Sequence, residues 1–245
     1  MRKFFPVLAV LIILLAGTYY WRAQKGPTVV QTDVDKTKIN TQISITAQEI
    51  QEENYTGSRP VITGEGKLAE AGREYVENTV EEFVAQANTD VPAMRKSFGM
   101  DSPVASYTID LEASQAESDT TRSLILGIYV YAGGAHGSSS YKVFTASRAT
   151  GEILSLADLI SADKRADFLT LVKNELSAWS PNDSEPVVFE EEVADLRFES
   201  LTNWSLDDTN LTLYFSQYEI GPGALGAFRL PIQLEKIQDF IILPK

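Results

Sequence analysis

One histidine stands in this chain, His136, inside the glycine-rich run Gly133-Gly134-Ala135-His136-Gly137. An imidazole at a tight, accessible corner can act as a general base or a ligand. The same ring can instead bond a backbone carbonyl or a tyrosine hydroxyl and pin the turn. A zinc site needs further imidazoles or thiolates, and the chain has neither a second histidine nor any cysteine. The inventory therefore favours pinning, and no metal or cofactor is expected. Nor is the run a phosphate loop, because no Lys-Ser or Lys-Thr follows the glycines and a strand-like segment comes next.

The second stretch with chemistry in it is Tyr218-Glu219-Ile220-Gly221-Pro222. A glutamate beside a tyrosine in a Gly/Pro loop can be a catalytic acid or half of a sugar-binding pair. Glycoside hydrolysis also needs a second carboxylate about 5 to 10 Å away, and spacing along the chain places none. The alternative, which the residue types favour, has Glu219 pinning its own loop while Tyr218 packs. The candidate binding residues are thus Gly134, His136, Tyr218, Glu219 and Pro222, with none assigned to catalysis. The row Glu70, Glu74, Glu77, Glu81 and Glu82 could pass for a metal ladder, but it reads as the solvated face of a helix.

Several elements must hold those two loops. Leu124 to Tyr131 is apolar on both faces, the pattern of a central buried strand. The glycine turn follows, then a returning strand, Tyr141 to Ser147, and a tight turn at Thr150-Gly151. Ser155 and Asp158 have capping-box spacing, which announces a helix. Lys67 to Ala87 carries an apolar stripe at three- and four-residue steps. A second helix is expected from about Asp163 to Trp179, stopped by Ser180-Pro181-Asn182-Asp183. Strands are expected at Lys38 to Ala47, Ser106 to Ala113 and Phe228 to Ile232, with Gln48 to Gly66 polar and turn-rich between the first two. Arg197 to Leu206 and Asn210 to Phe215 read as a hairpin across Asp207-Asp208-Thr209, and Phe240 to Leu243 as a last apolar segment. Strands, two helices, then strands, without regular alternation, give an α+β class: a mostly antiparallel sheet with both helices on one face.

Charge and the N-terminus bound the location and the partners. Arg2 and Lys3 precede eighteen uncharged residues, Phe4 to Trp21, which end in the aromatic group Tyr19-Tyr20-Trp21. This is the pattern of a signal-anchor or short membrane helix over residues 1–21, favoured over a cleaved signal peptide. Residues 22–38 then read as a tether, and 39–245 as an extracytoplasmic domain. The chain carries a formal charge of −13. Without Arg2 and Lys3, 19 basic residues stand against 34 acidic ones, or −15. Nucleic acid is disfavoured as a partner by that balance, and an acidic exported domain would instead attract cationic partners.

Residues 121 to 160, with GGAHG followed at this spacing by TGEILSLADLI, resemble the extracellular domain shared by RsiV-type lysozyme-responsive anti-sigma factors and PdaC-type peptidoglycan deacetylases. Residues 211 to 237, LTLYFSQYEIGPGALGAFRLPIQLEKI, resemble the closing segment of that domain. The resemblance is best over 105–237, and residues 39–90 follow it in pattern only. It implies an α+β fold similar to a small lobe of actin-like ATPases, with a lysozyme-like protein or peptidoglycan as partner. The chain departs from the family at Gly221-Pro222-Gly223, where a Pro-Tyr pair is usual, and at Thr145-Ala146-Ser147, where an aromatic-Asp pair is usual. Met1 to Lys3 leave no segment for sigma binding, and one histidine does not furnish the deacetylase metal site. The expectation is a membrane-anchored, non-enzymatic envelope binding or sensor module, with a glycan-acting cell-wall hydrolase as the alternative.

Overall fold

The computed structural model describes residues 43–99, 107–180 and 187–242. The leader (1–21), the tether (22–38) and the start of the first strand lie outside the described residues, as do Asn182 and Leu243. Among the described residues, no helix is long and apolar enough to cross a membrane.

The first half of the chain builds a six-stranded sheet and one long helix. The strands are β1 (Ile43–Gln51), β2 (Tyr55–Gly64), β3 (Tyr107–Glu117), β4 (Thr121–Tyr131), β5 (Ser138–Ser147) and the two-residue β6 (Ile153–Leu154), in that spatial order. Every pairing is antiparallel except β2 with β3, which is parallel. That exception follows from α1 (Lys67–Phe98), the crossover helix between those two strands. α1 buries Leu68, Val76, Val80, Phe83 and Val91. These meet Ile109, Leu124, Leu126 and Ile128 of the sheet in one apolar core. The expected helix extends eleven residues beyond Ala87, through Pro92 to Phe98. Tertiary ties hold the extension: Tyr107 Oη donates to Asp90 (3.1 Å), Arg95 pairs with Glu53 (3.0 Å), and Gly99 closes the end in the left-handed region at φ 59°.

The second half adds a smaller sheet. Its strands are β7 (Trp204–Leu206), β8 (Asn210–Phe215) and β9 (Phe228–Gln233), all antiparallel. Short helices α2 (Leu156–Leu159), α4 (Glu190–Asp195) and α5 (Leu234–Ile237) surround it, and α3 (Arg165–Ala178) supplies Phe168, Val172 and Leu176 to its core. The expected capping box is present: Asp158 accepts from the Ser155 N–H (2.8 Å) and hydroxyl (2.6 Å). It caps only the single turn of α2, and α3 starts separately.

The α+β class and the mostly antiparallel sheet stand as expected, with no barrel. Three local expectations are corrected. Gln48 to Gly66 is not a turn-rich linker but most of the β1–β2 hairpin. The strand expected from Arg197 shrinks to Trp204–Leu206, because residues 198–200 form a 3₁₀ turn. The strands divide between two sheets, so the two main helices do not share a face: α1 covers the large sheet and α3 the small one.

Between the sheets the chemistry changes. On β4, Leu124, Leu126 and Ile128 face α1, while Ile125 joins Val143 and Tyr214 on the opposite side. Around that small apolar patch the contact is polar. Thr145 donates to the Trp204 carbonyl (2.7 Å) and lies 2.8 Å from Ser123 Oγ. Asn203 Oδ1 accepts the Val143 N–H (3.0 Å), and Ser205 pairs with Tyr214 Oη (2.9 Å). Hydroxyl groups buried this way satisfy one another and neighbouring backbone, as burial requires.

Candidate functional site

The two sequence-predicted loops meet. The glycine turn connects β4 to β5, and residues 216–227 connect β8 to β9. Gln217 stitches them together. Its N–H donates to the Ser139 carbonyl (2.9 Å), and its Oε1 accepts the Ser139 N–H (2.9 Å). Its Nε2 donates to the Gly223 carbonyl (2.7 Å), closing its own loop. Sequence reasoning missed this residue, since an isolated glutamine in a loop carries no pattern.

The clamp brings His136 and Tyr218 within reach of each other, with Tyr218 Oη 3.3 Å from His136 Nε2. The Gly137 carbonyl, 2.8 Å from His136 Nδ1, can only accept. Nδ1 therefore carries the proton in the neutral ring, and Nε2 accepts from the tyrosine hydroxyl. Both partners anticipated for a pinning histidine, a carbonyl and a tyrosine hydroxyl, are present together. Tyr218 has φ 68°, the one positive-φ residue other than glycine among the described residues. Such a conformation costs on the order of 1–2 kcal/mol and persists only where its surroundings enforce it. The side chain is 57% exposed, so the strain serves no core packing.

Glu219 is held as the pinning reading required: its Oε2 accepts the Ser216 N–H at 2.7 Å. Loss of water around the loop pushes its carboxyl above the ordinary range, and the Ser216 hydrogen bonds pull part of that back. Gly134, at φ 95°, turns the chain and offers its carbonyl to Tyr131 Oη at 3.0 Å. Pro222 opens a 3₁₀ turn by accepting the Leu225 N–H at 2.9 Å. Of the five predicted residues, His136 and Tyr218 touch; Gly134, Glu219 and Pro222 shape the loops that carry them.

Two glycines are covered by tyrosine rings. A Cβ on Gly137 would lie 2.5 Å from the Tyr129 ring, and one on Gly223 would lie 2.2 Å from the ring of Tyr218. The hydroxyl end of each ring thus sits close against the glycine backbone. Tyr129 is 40% exposed.

Beside this edge lies an open cleft of about 350 Å³ on the face of the large sheet away from α1. Its floor is two cross-strand rows, Glu112–Gly127–Tyr141 and Asp110–Tyr129–Ser139, each running from β3 across β4 to β5. Gly127 contributes no side chain and so opens the middle. Tyr141 is braced edge-on by the buried Tyr214, with ring centroids 5.2 Å apart. Gly226 and Ala227 close one end, from the same β8–β9 connection that carries Tyr218. None of Asp110, Glu112, Tyr129 or Tyr141 was singled out from the sequence. The available signal was Gly127, an isolated glycine in an otherwise apolar strand, which marks a gap or a close approach.

The fold is an α+β module, and within it residues 157–235 match the model of DUF3298, a protein family of unknown function. Two solved DUF3298-family structures share the fold. The one from Bacteroides fragilis NCTC 9343 is 18% identical with a TM-score of 0.57, covering 85% of this chain and 96% of that one. The one from Pseudomonas aeruginosa PAO1 is 19% identical with a TM-score of 0.53, covering 82% and 94%. In sequence, 98% of the chain is similar, at 23% identity over 249 residues, to the peptidoglycan-N-acetylmuramic acid deacetylase PdaC of Bacillus subtilis (strain 168). The chain spans 50% of that relative's length.

Proposed function

We propose that this chain is a non-enzymatic binding module of the cell envelope, held at the membrane by residues 1–21, and that it engages peptidoglycan through the edge carrying Tyr129, His136 and Tyr218. The observation that carries the reading is Tyr218. A strained, exposed aromatic residue, clamped by Gln217 and met by the one histidine, is a feature a fold keeps for contact with something else. The exposed ring of Tyr129 and the polar cleft beside it suit a sugar-and-peptide polymer, since aromatic faces with a few placed polar groups are how such ligands are gripped. The relative named for peptidoglycan supports the choice of ligand. Binding without turnover fits the way His136 and Glu219 are engaged, each in hydrogen bonds that hold its own loop.

The test is co-sedimentation of the full-length protein with purified peptidoglycan sacculi, alongside Tyr218→Ala, with released muropeptides measured in the same tubes. Binding that drops in the variant, without muropeptide release, is the expected result. Release that disappears in Glu219→Gln would establish the hydrolase alternative instead, and no sedimentation would remove peptidoglycan as the ligand. The formal charge of −13 favours a second reading, a cationic lysozyme-like protein as partner, steered by the acidic surface. Capture of such a protein that fades steeply as salt rises would support it.

A further inference from the structure

The cleft beside the loops has a chemistry of its own. Asp110 and Glu112 stand two residues apart on β3, on the same face, with Tyr129 and Tyr141 across the floor. Among the described residues, no basic one lines the cleft. Neither carboxylate takes part in any of the ion pairs among the described residues. Asp110 accepts one neutral hydrogen bond, from Ser58 Oγ at 3.1 Å. Lys142, the nearest lysine in β5, points to the other side of the sheet, over the rings of Tyr75 and Phe144. Two anionic groups thus share a concave site with aromatic walls and no basic residue among its described lining.

We propose that this cleft binds a primary ammonium group on a flexible aliphatic stem, and that its source is the diamino-acid side chain of a peptidoglycan stem peptide. The proposal rests on the peptidoglycan reading for the source of the amine, though not for the chemistry of the cleft. An ammonium is a compact charge with three donors, able to reach both carboxylates at once. Side chains two apart on a strand leave the sheet about 7 Å from each other. That spacing suits one cation between them with its methylene stem lying on the tyrosine faces, which attract cations. A divalent metal fits poorly, because calcium takes six or more oxygens, and beyond the two carboxylates the lining residues are Tyr129, Tyr141, Ile128, the two neutral serines Ser139 and Ser140, and small residues. The gap left by Gly127 admits the stem: a Cβ there would lie 3.7 Å from the Tyr141 ring, an ordinary contact that would narrow the channel without distorting the sheet. The cleft adjoins the loop edge through Tyr129, Ser139 and the Gly226–Ala227 backbone. One polymer could then lay its sugars on the edge and its peptide in the cleft.

Two probes test this on the full-length protein. The first is Nα-acetyl-lysine amide, compared with the same compound acetylated on Nε, titrated while the ring resonances of Tyr129 and Tyr141 are followed by NMR. The free amine should shift both rings and bind about tenfold or more tighter than the acetylated form, with the response lost in Asp110→Asn/Glu112→Gln. Equal response to the two compounds, or an unchanged response in the double variant, would overturn the proposal. The second probe is sacculi, native or with their amines chemically acetylated. Acetylation should weaken wild-type sedimentation to the level of Asp110→Asn/Glu112→Gln, whose own binding should be indifferent to it. A protein that answers the lysine amide yet ignores amine blocking on sacculi refutes the stem peptide as source. A protein that fails to sediment with any sacculi refutes the peptidoglycan reading itself, a result distinct from loss of the amine response. Gly127→Val serves as a folded control that fills the channel and should lose the amine response with both carboxylates intact.

Discussion

Alanine at Gly137 and at Gly134, three residues apart in one turn, should separate the structure of this edge from its function. At Gly137 the obstacle is a side chain: the new Cβ would lie 2.5 Å from Tyr129 Cζ and Oη, where carbon contacts settle at about 3.5–4.0 Å. The ring must retreat by about 1 Å or more. It is free to do so, since Tyr129 is 40% exposed and the clash is at the far end of its side chain. The cost is that of an off-rotamer side chain, about 0.5–1.5 kcal/mol. At Gly134 the reverse holds. Nothing lies within 4 Å of the added Cβ, but φ is 95°, and the backbone strain is about 1–2 kcal/mol. Both variants should therefore lose similar, modest stability in thermal or urea unfolding. Only Gly137→Ala moves an aromatic surface. If Tyr129 stacks on the ligand, losing a contact worth about 0.5–1.5 kcal/mol weakens sacculus binding about two- to tenfold, while Gly134→Ala binds as the parent does. Equal weakening in both variants, or binding untouched in Gly137→Ala, would refute the assignment of Tyr129 to the binding edge.

Other perturbations probe the frame. Tyr218→Gly relieves the positive φ that Tyr218→Ala retains, so the glycine variant should be about 1 kcal/mol more stable than the alanine variant while both lose binding; matching melts would argue that the strain is absent. Thr145→Val removes a hydroxyl that serves the Trp204 carbonyl and Ser123 and should cost about 1–3 kcal/mol. Adding Ser123→Ala should then cost less than its effect alone, a coupling that a double-mutant cycle reads directly. Gly72→Ala, although it raises helix propensity, should destabilise by about 1–3 kcal/mol, because its Cβ would meet the fully buried Leu124 at 2.3 Å; a stabilised variant would contradict the packing of α1. For Asp207, burial alone would raise the carboxyl, but hydrogen bonds from the Thr209 hydroxyl and from the Thr209 and Asn210 N–H groups outweigh it and lower the folded value. A lowered acid stabilises above its ordinary pKa near 4 and loses that contribution as pH falls through the folded value. Asp207→Ala should thus melt below the parent at pH 7, with the gap closing below about pH 4.

What the sequence made legible follows from how local each signal is. The β4 run, the glycine turn and the α3 stripe could be read because alternation and three- to four-residue recurrence are properties of a few neighbouring residues. The capping box was also local, and in the structure the Asp158 carboxylate accepts the Ser155 N–H as its spacing requires. The end of α1 was not local. Asn88-Thr89-Asp90 and Pro92 resemble a stop, yet Val91 is fully buried and the Asp90–Tyr107 and Arg95–Glu53 contacts come from β3 and the β1–β2 turn, distant in sequence. β2 was hidden because Tyr55 to Gly64 holds two glycines, a proline and an arginine, and its pairing with β1 outweighs weak propensity. In the site, the chemistry of His136 and Tyr218 was visible from residue type, but their contact depends on Gln217, whose part is visible only in three dimensions. Asp110 and Glu112 read as the wet side of a strand, and register alone sets Gly127 and the tyrosines opposite them.

The division into two sheets bears on how such an edge can be both strained and stable. Each main helix seals its own apolar core, α1 over the large sheet and α3 over the small one. The contact between the sheets sets hydrogen bonds, Thr145 to the Trp204 carbonyl and the Val143 N–H to Asn203, around Ile125, Val143 and Tyr214. Hydrophobic area is non-directional and tolerates sliding, whereas hydrogen bonds demand one register. A polar seam therefore fixes the small sheet against the large one at a single offset. The β4–β5 turn belongs to one sheet and the β8–β9 connection to the other, and that offset brings Ser139 against Gln217 and His136 against Tyr218. On this argument, a seam variant such as Thr145→Val should weaken ligand binding from within the fold, without touching any exposed residue of the edge. A purely apolar repacking of the seam that restored stability should not restore binding.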